Sequence, residues 1–342
     1  MSIIDIERLL REVAPDAPSG DDLEYDPSFV EMTRAAQGKA EQRMGDAVVP
    51  GEEPKWGTVK SKAIELFGRS KDLRIGIYLT QSLLKVDGFP GLSDGLTVIR
   101  GLLEKFWDTV HPQLDPDDDN DPMFRVNVLS ILLDPDSTLR NVRETPLVSS
   151  RALGRFSLRD IEIATGKSPA PSGAAQPPAE MSVIEAAFSE CDLAALQGTA
   201  DGIRQSIEQV GAIESVLTDK VGVSRAASFD ALVSALKGVE EAVNRQLARR
   251  GVAVALPAGG GAAAATGPAG PISGAVNSRQ DAILVLDKVC DYFRQNEPSS
   301  PVPLLLERAK ALVSKNFVEI IQDLAPDGIA QVNTIRGARA GE

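Results

Sequence analysis

Histidine and cysteine are almost missing from this chain: one His and two Cys stand among 342 residues. A His-based triad or metal centre would have to use His111, and two cysteines with one histidine do not fill a four-ligand zinc site. Cys191 and Cys290 lie far apart in sequence, and each reads as a small buried hydrophobe suited to a reducing compartment. Aromatic residues make up only 4%. Leu, Ala, Val and Ile must therefore fill the interior, which suits helix-on-helix packing better than stacked sheets. No apolar run reaches the ~18 residues of a membrane span. The opening residues lack a basic segment followed by a long apolar one, so secretion is not expected and a cytoplasmic location is. Positive charge is short too. With 36 Lys and Arg against 49 Asp and Glu, the formal charge is −13, so nucleic acid is not an expected partner.

What remains is an ordinary apolar share of 43%, enough for two or three compact domains, patterned with helical spacing. The expected fold class is mainly α. Residues 1–165 read as a helical N-terminal domain. Ser2 is placed to cap the first helix, and Asp26-Pro27 opens the second by the preference for proline in a first helical turn. Met44 to Pro54 reads as a loop. Trp56, Val59, Ala63, Leu66 and Phe67 share a helix face, Ser70 is placed to cap the next helix, and Gly88 to Gly91 is a turn before another. Phe124 to Leu133 reads as a further helix, and only Val142 to Ser150 suggests a strand. Residues 166–179 form a Pro/Ala-rich linker, and 180–250 a middle antiparallel helical domain. A Gly/Ala-rich stretch at 251–277 reads as flexible, and 278–342 as a small helical module with a frayed tail. About 50 ordered residues make a marginal core, so this last module is expected to gain stability by oligomerising.

The chemical motifs argue against an enzyme. Gly91-Leu92-Ser93-Asp94-Gly95 spells a nucleophile elbow, but Gly88-Phe89-Pro90 before it is turn chemistry, and Ser93 or Asp94 reads as a helix cap. His111 precedes Pro112 at a helix end and is expected to bond the last carbonyls. Asp115 to Asp121 places carboxylates at positions 1, 3 and 5 of a calcium loop but has Asn120 at position 6 and Val126 at position 12, so it reads as a solvated acidic loop. Thr165-Gly166-Lys167-Ser168 lacks the first glycine of a phosphate-binding loop. No catalytic, cofactor-binding or metal-ligating residue is assigned, and no cofactor is expected. Arg140, Arg143, Arg151, Arg155 and Arg159 crowd one stretch of an acidic chain. They read either as scattered surface charge or as a docking face for an acidic partner.

Ser19-Gly20-Asp21-Asp22-Leu23-Glu24-Tyr25-Asp26-Pro27, Ser70-Lys71-Asp72-Leu73-Arg74, Gly88 to Leu96 and Phe106-Trp107-Asp108-Thr109-Val110-His111-Pro112 follow one another here, and Arg125-Val126-Asn127 and Leu153 to Asp160 continue the series. In this order they resemble the N-terminal domain of the ImpA/TssA family of type VI secretion. The segments Ser278 to Ala282 and Tyr292 to Ala309 resemble the tail of its shorter members. The resemblance implies a non-enzymatic cytoplasmic scaffold of the baseplate-associated type. It would form a ring-like homo-oligomer through its C-terminal region, and would dock baseplate, spike, inner-tube and sheath subunits to start or guide tail assembly. An adaptor that uses the same N-terminal domain to present an effector is the alternative. Leu304, Leu305, Phe317 and Ile321 are expected to form the core of the C-terminal module, and which of its apolar residues cross a subunit boundary stays open.

Overall fold

The computed structural model describes residues 2–38, 42–44, 47–49, 51–169, 177–252, 286, 290 and 301–313. The fold is mainly α. The chain divides into two compact units, Met1–Gly259 and Gly260–Glu342.

The first unit is built around α4 (Leu73–Lys105), which is a hairpin of two arms and not a single rod. Gly88, with φ 71° and ψ −152°, reverses the chain between residues 73–87 and 89–105, and Pro90 follows in the first turn of the second arm. The turn expected at Gly88 to Gly91 is therefore where the helix doubles back. The arms touch backbone to backbone. A Cβ on Gly91 would lie 2.6 Å from the Leu83 carbonyl oxygen, and one on Gly95 would lie 2.7 Å from the Thr80 Cα. The two glycines of the Gly-x-Ser-x-Gly spelling are thus the contact stripe of the hairpin.

The other elements wrap this hairpin. α2 (Pro27–Gln37) and α3 (Trp56–Phe67) stack in sequence against it, and α1 (Ile6–Leu9) touches it. Asp26 caps α2 by accepting from Ser28 N at 2.8 Å, as the Asp-Pro pair predicts. Three caps differ from expectation. Asp5, not Ser2, caps α1. Asp72, not Ser70, caps α4, because Ser70 is buried in a backbone bridge to Gly20. Asp94 caps no helix of its own; its Oδ2 accepts from Ser2 Oγ at 2.9 Å and Ile3 N at 2.5 Å, which fastens the chain's start to the hairpin.

Two hairpins of strands were only partly legible. β1 (Gln42–Met44) pairs antiparallel with β2 (Ala47–Val49); β2 lies within the Met44 to Pro54 stretch expected to be a loop, and β1 reaches it only at Met44. After α5 (Met123–Ser130) and a short 3-10 turn at Ile131–Leu133, α6 (Thr138–Glu144) takes up Val142, which was expected in a strand. The strand β3 (Pro146–Ser150) begins only after it and pairs antiparallel with β4 (Gly154–Ser157), with a register shift between Pro146 and Val148. Ser157 then starts α7 (Leu158–Ala164) through a capping box with Asp160.

The helices expected to form a separate middle domain belong to the same compact unit. α8 (Met181–Glu190), α9 (Leu193–Val221) and α10 (Asp230–Arg249) follow, and α9 lies along the α4 hairpin with α10 behind it. The physical reason is the close approach at Gly202, where a Cβ would stand 2.5 Å from Pro90 N. The buried stripe Ile203, Val210, Ile213 and Leu217 completes the shared core. In the second unit, α11 (Val302–Val313) is described, with Leu286 and Cys290 in helical conformation and Cys290 buried. The rest of the expected C-terminal module, including Phe317 and Ile321, lies outside the described residues.

The hairpin contact predicts an uneven response across the Gly91–Gly95 stretch. Gly95→Val should lose about 3 kcal/mol of stability, because its Cβ meets backbone and no rotamer relieves it. Ser93→Ala, removing a single 3.3 Å bond to Gln205, should change stability by less than about 1 kcal/mol. Gly198→Ala and Gly211→Ala, on open faces of α9, should each gain about 0.5–1 kcal/mol. Urea unfolding followed by circular dichroism reads all four, and equal losses at Ser93 and Gly95 would rule out the hairpin contact.

Candidate functional site

The sequence motifs converge on a buried tie at the open end of the α4 hairpin. Lys71 N donates to the Ser19 carbonyl at 2.7 Å, Ser70 bridges Gly20, His111 N donates to the Lys71 carbonyl at 3.0 Å, and Leu73 N donates to the His111 carbonyl at 2.8 Å. Three distant segments are thus laced together by main-chain bonds. His111 Nε2 donates to the Gly20 carbonyl at 3.0 Å, so the ring joins two of these segments and does not bond the helix-end carbonyls.

Three cations fix the tie from different sides. Arg74 bonds Asp72 at 2.7 Å, Glu24 at 2.7 Å and Asp22 at 2.6 Å, and lies over the Phe29 ring. Burial works against its charge, but the carboxylates of Asp72, Glu24 and Asp22 outweigh it and raise its pKa. Arg125 has no exposed surface. Its guanidinium donates to the carbonyls of Trp107, of Val110 at 2.7 Å and of Pro112 at 2.7 Å, with the Trp107 ring 5.0 Å away. It therefore supplies the donors that the chain leaving α4 lacks, the job first expected of His111. Burial pulls its pKa down to about 10, against the opposing pull of Asp108. Lys71, 2% exposed, donates to the Phe67 carbonyl and has no carboxylate beside it; burial lowers its pKa to about 8.

This arrangement has the marks of a strut. Every motif residue that a catalytic reading would draw on is committed to a structural bond. Ser93 sits inside the second arm of α4 and donates to Gln205, while His111 serves Gly20, so no strand-turn-helix elbow forms. The acidic loop holds itself through Asp115, which accepts from Asp117 N at 3.0 Å, and Asp121 lies 3.8 Å from Arg225.

The five arginines separate into two groups. Arg143 bonds Glu162 at 2.6 Å and Arg159 bonds Glu144, which ties α6 to α7. Arg140, Arg151 and Arg155 are exposed and make no ion pair among the described residues. Arg155 lines a cleft of about 330 Å³ between the tip of the α4 hairpin, β3 and the start of α9. Lys85 lines it too, a residue the sequence did not single out; an exposed lysine on a helix carries no signal until β3 is placed beside it. Leu304 and Leu305 are 72% and 66% exposed. The rest of the module expected to pack against them lies outside the described residues.

Lys71 gives the tie a pH signature. Between pH 8 and its ordinary value of 10.5 the folded state has released the proton that the unfolded state still holds. Stability therefore gains with rising pH over this window, and the penalty for burying the charge is complete below pH 8. Lys71→Met has no such term. The unfolding free energy of the parent, minus that of Lys71→Met, should become more favourable to the parent from pH 7 to 10. A constant difference would show that the buried ammonium keeps its ordinary affinity for the proton.

The chain is similar to proteins of one system throughout. The family model "ImpA, N-terminal, type VI secretion system" matches residues 10–134. The type VI secretion system component TssA1 of Pseudomonas aeruginosa is 43% identical over 345 positions, covering 98% of this chain and 99% of its own length. The solved N-terminal domain, including the conserved ImpA_N region, of the TssA component of the type VI secretion system from Burkholderia cenocepacia superimposes with a TM-score of 0.60. It is 27% identical and covers 74% of this chain and 97% of its own. The buried tie lies within the matched region, and the near full-length identity extends beyond it: the chain belongs to the TssA family of type VI secretion system components.

Proposed function

We propose that the chain is a non-enzymatic scaffold for assembly of the type VI apparatus at its cytoplasmic side, of the short, baseplate-associated form. Residues 278–342 gather copies into a ring-like homo-oligomer, and the first unit docks baseplate, spike, inner-tube and sheath subunits to start or guide growth of the tail. The 43% identity to a TssA1 component over almost its whole length carries this reading. The alternative, an adaptor that presents an effector, has no particular feature of the structure in its favour.

Among the described residues no helix is long and apolar enough to cross a membrane. One physical feature supports a scaffold. Leu304 and Leu305 stand side by side in water on α11. Covering both at a subunit boundary would contribute about 1.5–3 kcal/mol per leucine. Several copies on one hub raise the local concentration of docking units without any new contact between unit and partner.

Light scattering on the full chain, beside a truncation ending at residue 250, tests the hub. A large discrete oligomer with a monomeric truncation is expected, and Leu304→Asp with Leu305→Asp should return the full chain towards the monomer mass. A monomeric full-length chain sinks the ring and favours the adaptor.

A further inference from the structure

We propose that the outward face of α5 and the 3-10 turn after it docks a short basic amphipathic helix of a partner protein. That helix would carry two turns of apolar side chains with lysine or arginine beyond both ends. Such a surface rests on the docking role proposed for the first unit and is independent of how many copies assemble.

α5 is apolar on two sides. Arg125, Val126 and Leu129 are buried where the helix meets α4, and Leu132 continues their spacing in the 3-10 turn. A helix held by one buried face ordinarily turns polar residues outward. Here the outward face carries Phe124, Asn127, Val128 and Ile131 at i, i+3, i+4 and i+7, with Met123 beside them. Phe124 is 62% exposed and Ile131 41%, while Val128 is half-buried. Only Asn127 in this stripe is polar. Single apolar residues scattered over a surface are ordinary, but a second stripe at helical spacing is the pattern of a helix contact. From Phe124 to Ile131 it runs ~10 Å, the length of two turns of a helix laid alongside.

Charge at the two ends of the stripe selects the partner. Between Gln113 and Ser137 the chain carries seven aspartates and one cation, Arg125. That cation is committed inside the fold to the carbonyls of Trp107, Val110 and Pro112. Before the stripe, Asp117, Asp118 and Asp119 are exposed and make no ion pair among the described residues. After it, Asp134 accepts from Asp136 N at 2.9 Å, and neither carboxylate has an ion pair among the described residues. Two cations come near the first group from the end of α9 and the turn that follows. Arg225 stands 3.8 Å from Asp121, and the Lys220 ammonium lies over the Trp107 ring at 5.7 Å, so three carboxylates stay unpaired. A basic helix is therefore attracted at both ends while its apolar side chains cover the stripe. A second copy of this chain laid on the same face would set aspartates against aspartates, and nucleic acid or an anionic bilayer is repelled by them.

The test uses the full-length protein and fluorescence anisotropy of a labelled helical peptide with leucine at helical spacing over two turns and lysine at both ends. Two controls accompany it: the same composition scrambled to break the leucine stripe, and the same peptide with glutamate in place of lysine. Saturable binding of the lysine peptide is expected, with clear loss for both controls. Phe124→Ala should weaken binding roughly tenfold, and Phe124→Glu with Ile131→Glu should abolish it. Asp118→Asn with Asp136→Asn should weaken it a few-fold and flatten its dependence on salt. Val30→Glu, on the exposed side of α2, should leave it unchanged. Circular dichroism confirms that each variant is folded, and Phe124→Ala keeps the test decisive if the double charge insertion is not. No saturable binding, equal binding of either control peptide, or indifference to Phe124 would each overturn the proposal. Self-association of the full chain that weakens in Phe124→Glu would assign the face to a second copy and overturn it as well. Light scattering on the same samples separates this site from the ring. A monomer that binds the lysine peptide removes the ring and leaves the site, and an oligomer that does not bind it removes the site and leaves the ring.

Discussion

The first unit depends on the close contact between the two arms of α4. Of its 33 residues, 22 are buried, so the hairpin has almost no face of its own for water. A helix apolar on all sides must be enclosed by others. The glycines at 91 and 95 let the arms approach until side chains on both flanks point outward into neighbouring helices. α3 takes one flank and α9 another, and α10 covers α9 in turn. The proline-rich stretch at 166–179 therefore does not set the extent of the unit. Detaching α9 would open the close contact of Gly202 with Phe89 and Pro90 and expose the buried stripe of α9 itself. A loss of that size does not suit two bodies that move independently.

The open end of the hairpin has a different problem, one of polarity. The chain leaving the second arm presents the carbonyls of Trp107, Val110 and Pro112 to a dry interior, and a fully buried arginine is the group that reaches all three. An arginine can do this because its fork offers several donors at fixed angles and keeps its charge even when burial lowers its pKa. Lys71 meets the same environment with a single carbonyl, and burial moves it much closer to neutrality. The contrast explains why the tie is laced by main-chain bonds first and by cations second. The backbone pairs among residues 19–20, 70–73 and His111 hold whatever the charge of Lys71.

Much of the helical architecture was legible in the sequence. Apolar spacing at Trp56 to Phe67 and at Leu232 to Leu247 reports a buried stripe directly, and Asp26-Pro27 and Gly88 act through local geometry. What misled was chemistry with two uses. Ser2 and Ser70 are sound caps by type, but Ser2 bonds the distant Asp94 and Ser70 is buried where its main chain bridges Gly20, neither of which a local pattern reveals. Val142 has a strand former's side chain, yet its burial is supplied by helix packing. The independence of 180–250 was inferred from linker composition, and composition says nothing about whether a helix beyond the linker packs back on what precedes it. Gly202 held the missing signal, since a glycine in the middle of a long helix costs stability unless something needs the space. As for the candidate site, the five arginines were visible as a cluster, but their division into paired and unpaired sets was not. Glu144 and Glu162 decide it through a contact between α6 and α7.

That division bears on how a largely acidic protein can hold partners at all. Thirteen excess negative charges repel one another and any acidic partner, so attraction has to be local and specific in shape. Residues on mobile loops would spend part of the binding energy on being ordered. The cleft beside β3 is framed instead by a helix hairpin tip, a strand edge and the first turns of a 29-residue helix, elements already fixed by the packing of α4 against α9. The α4–α9 contact that closes the core therefore also holds the walls of the cleft in place.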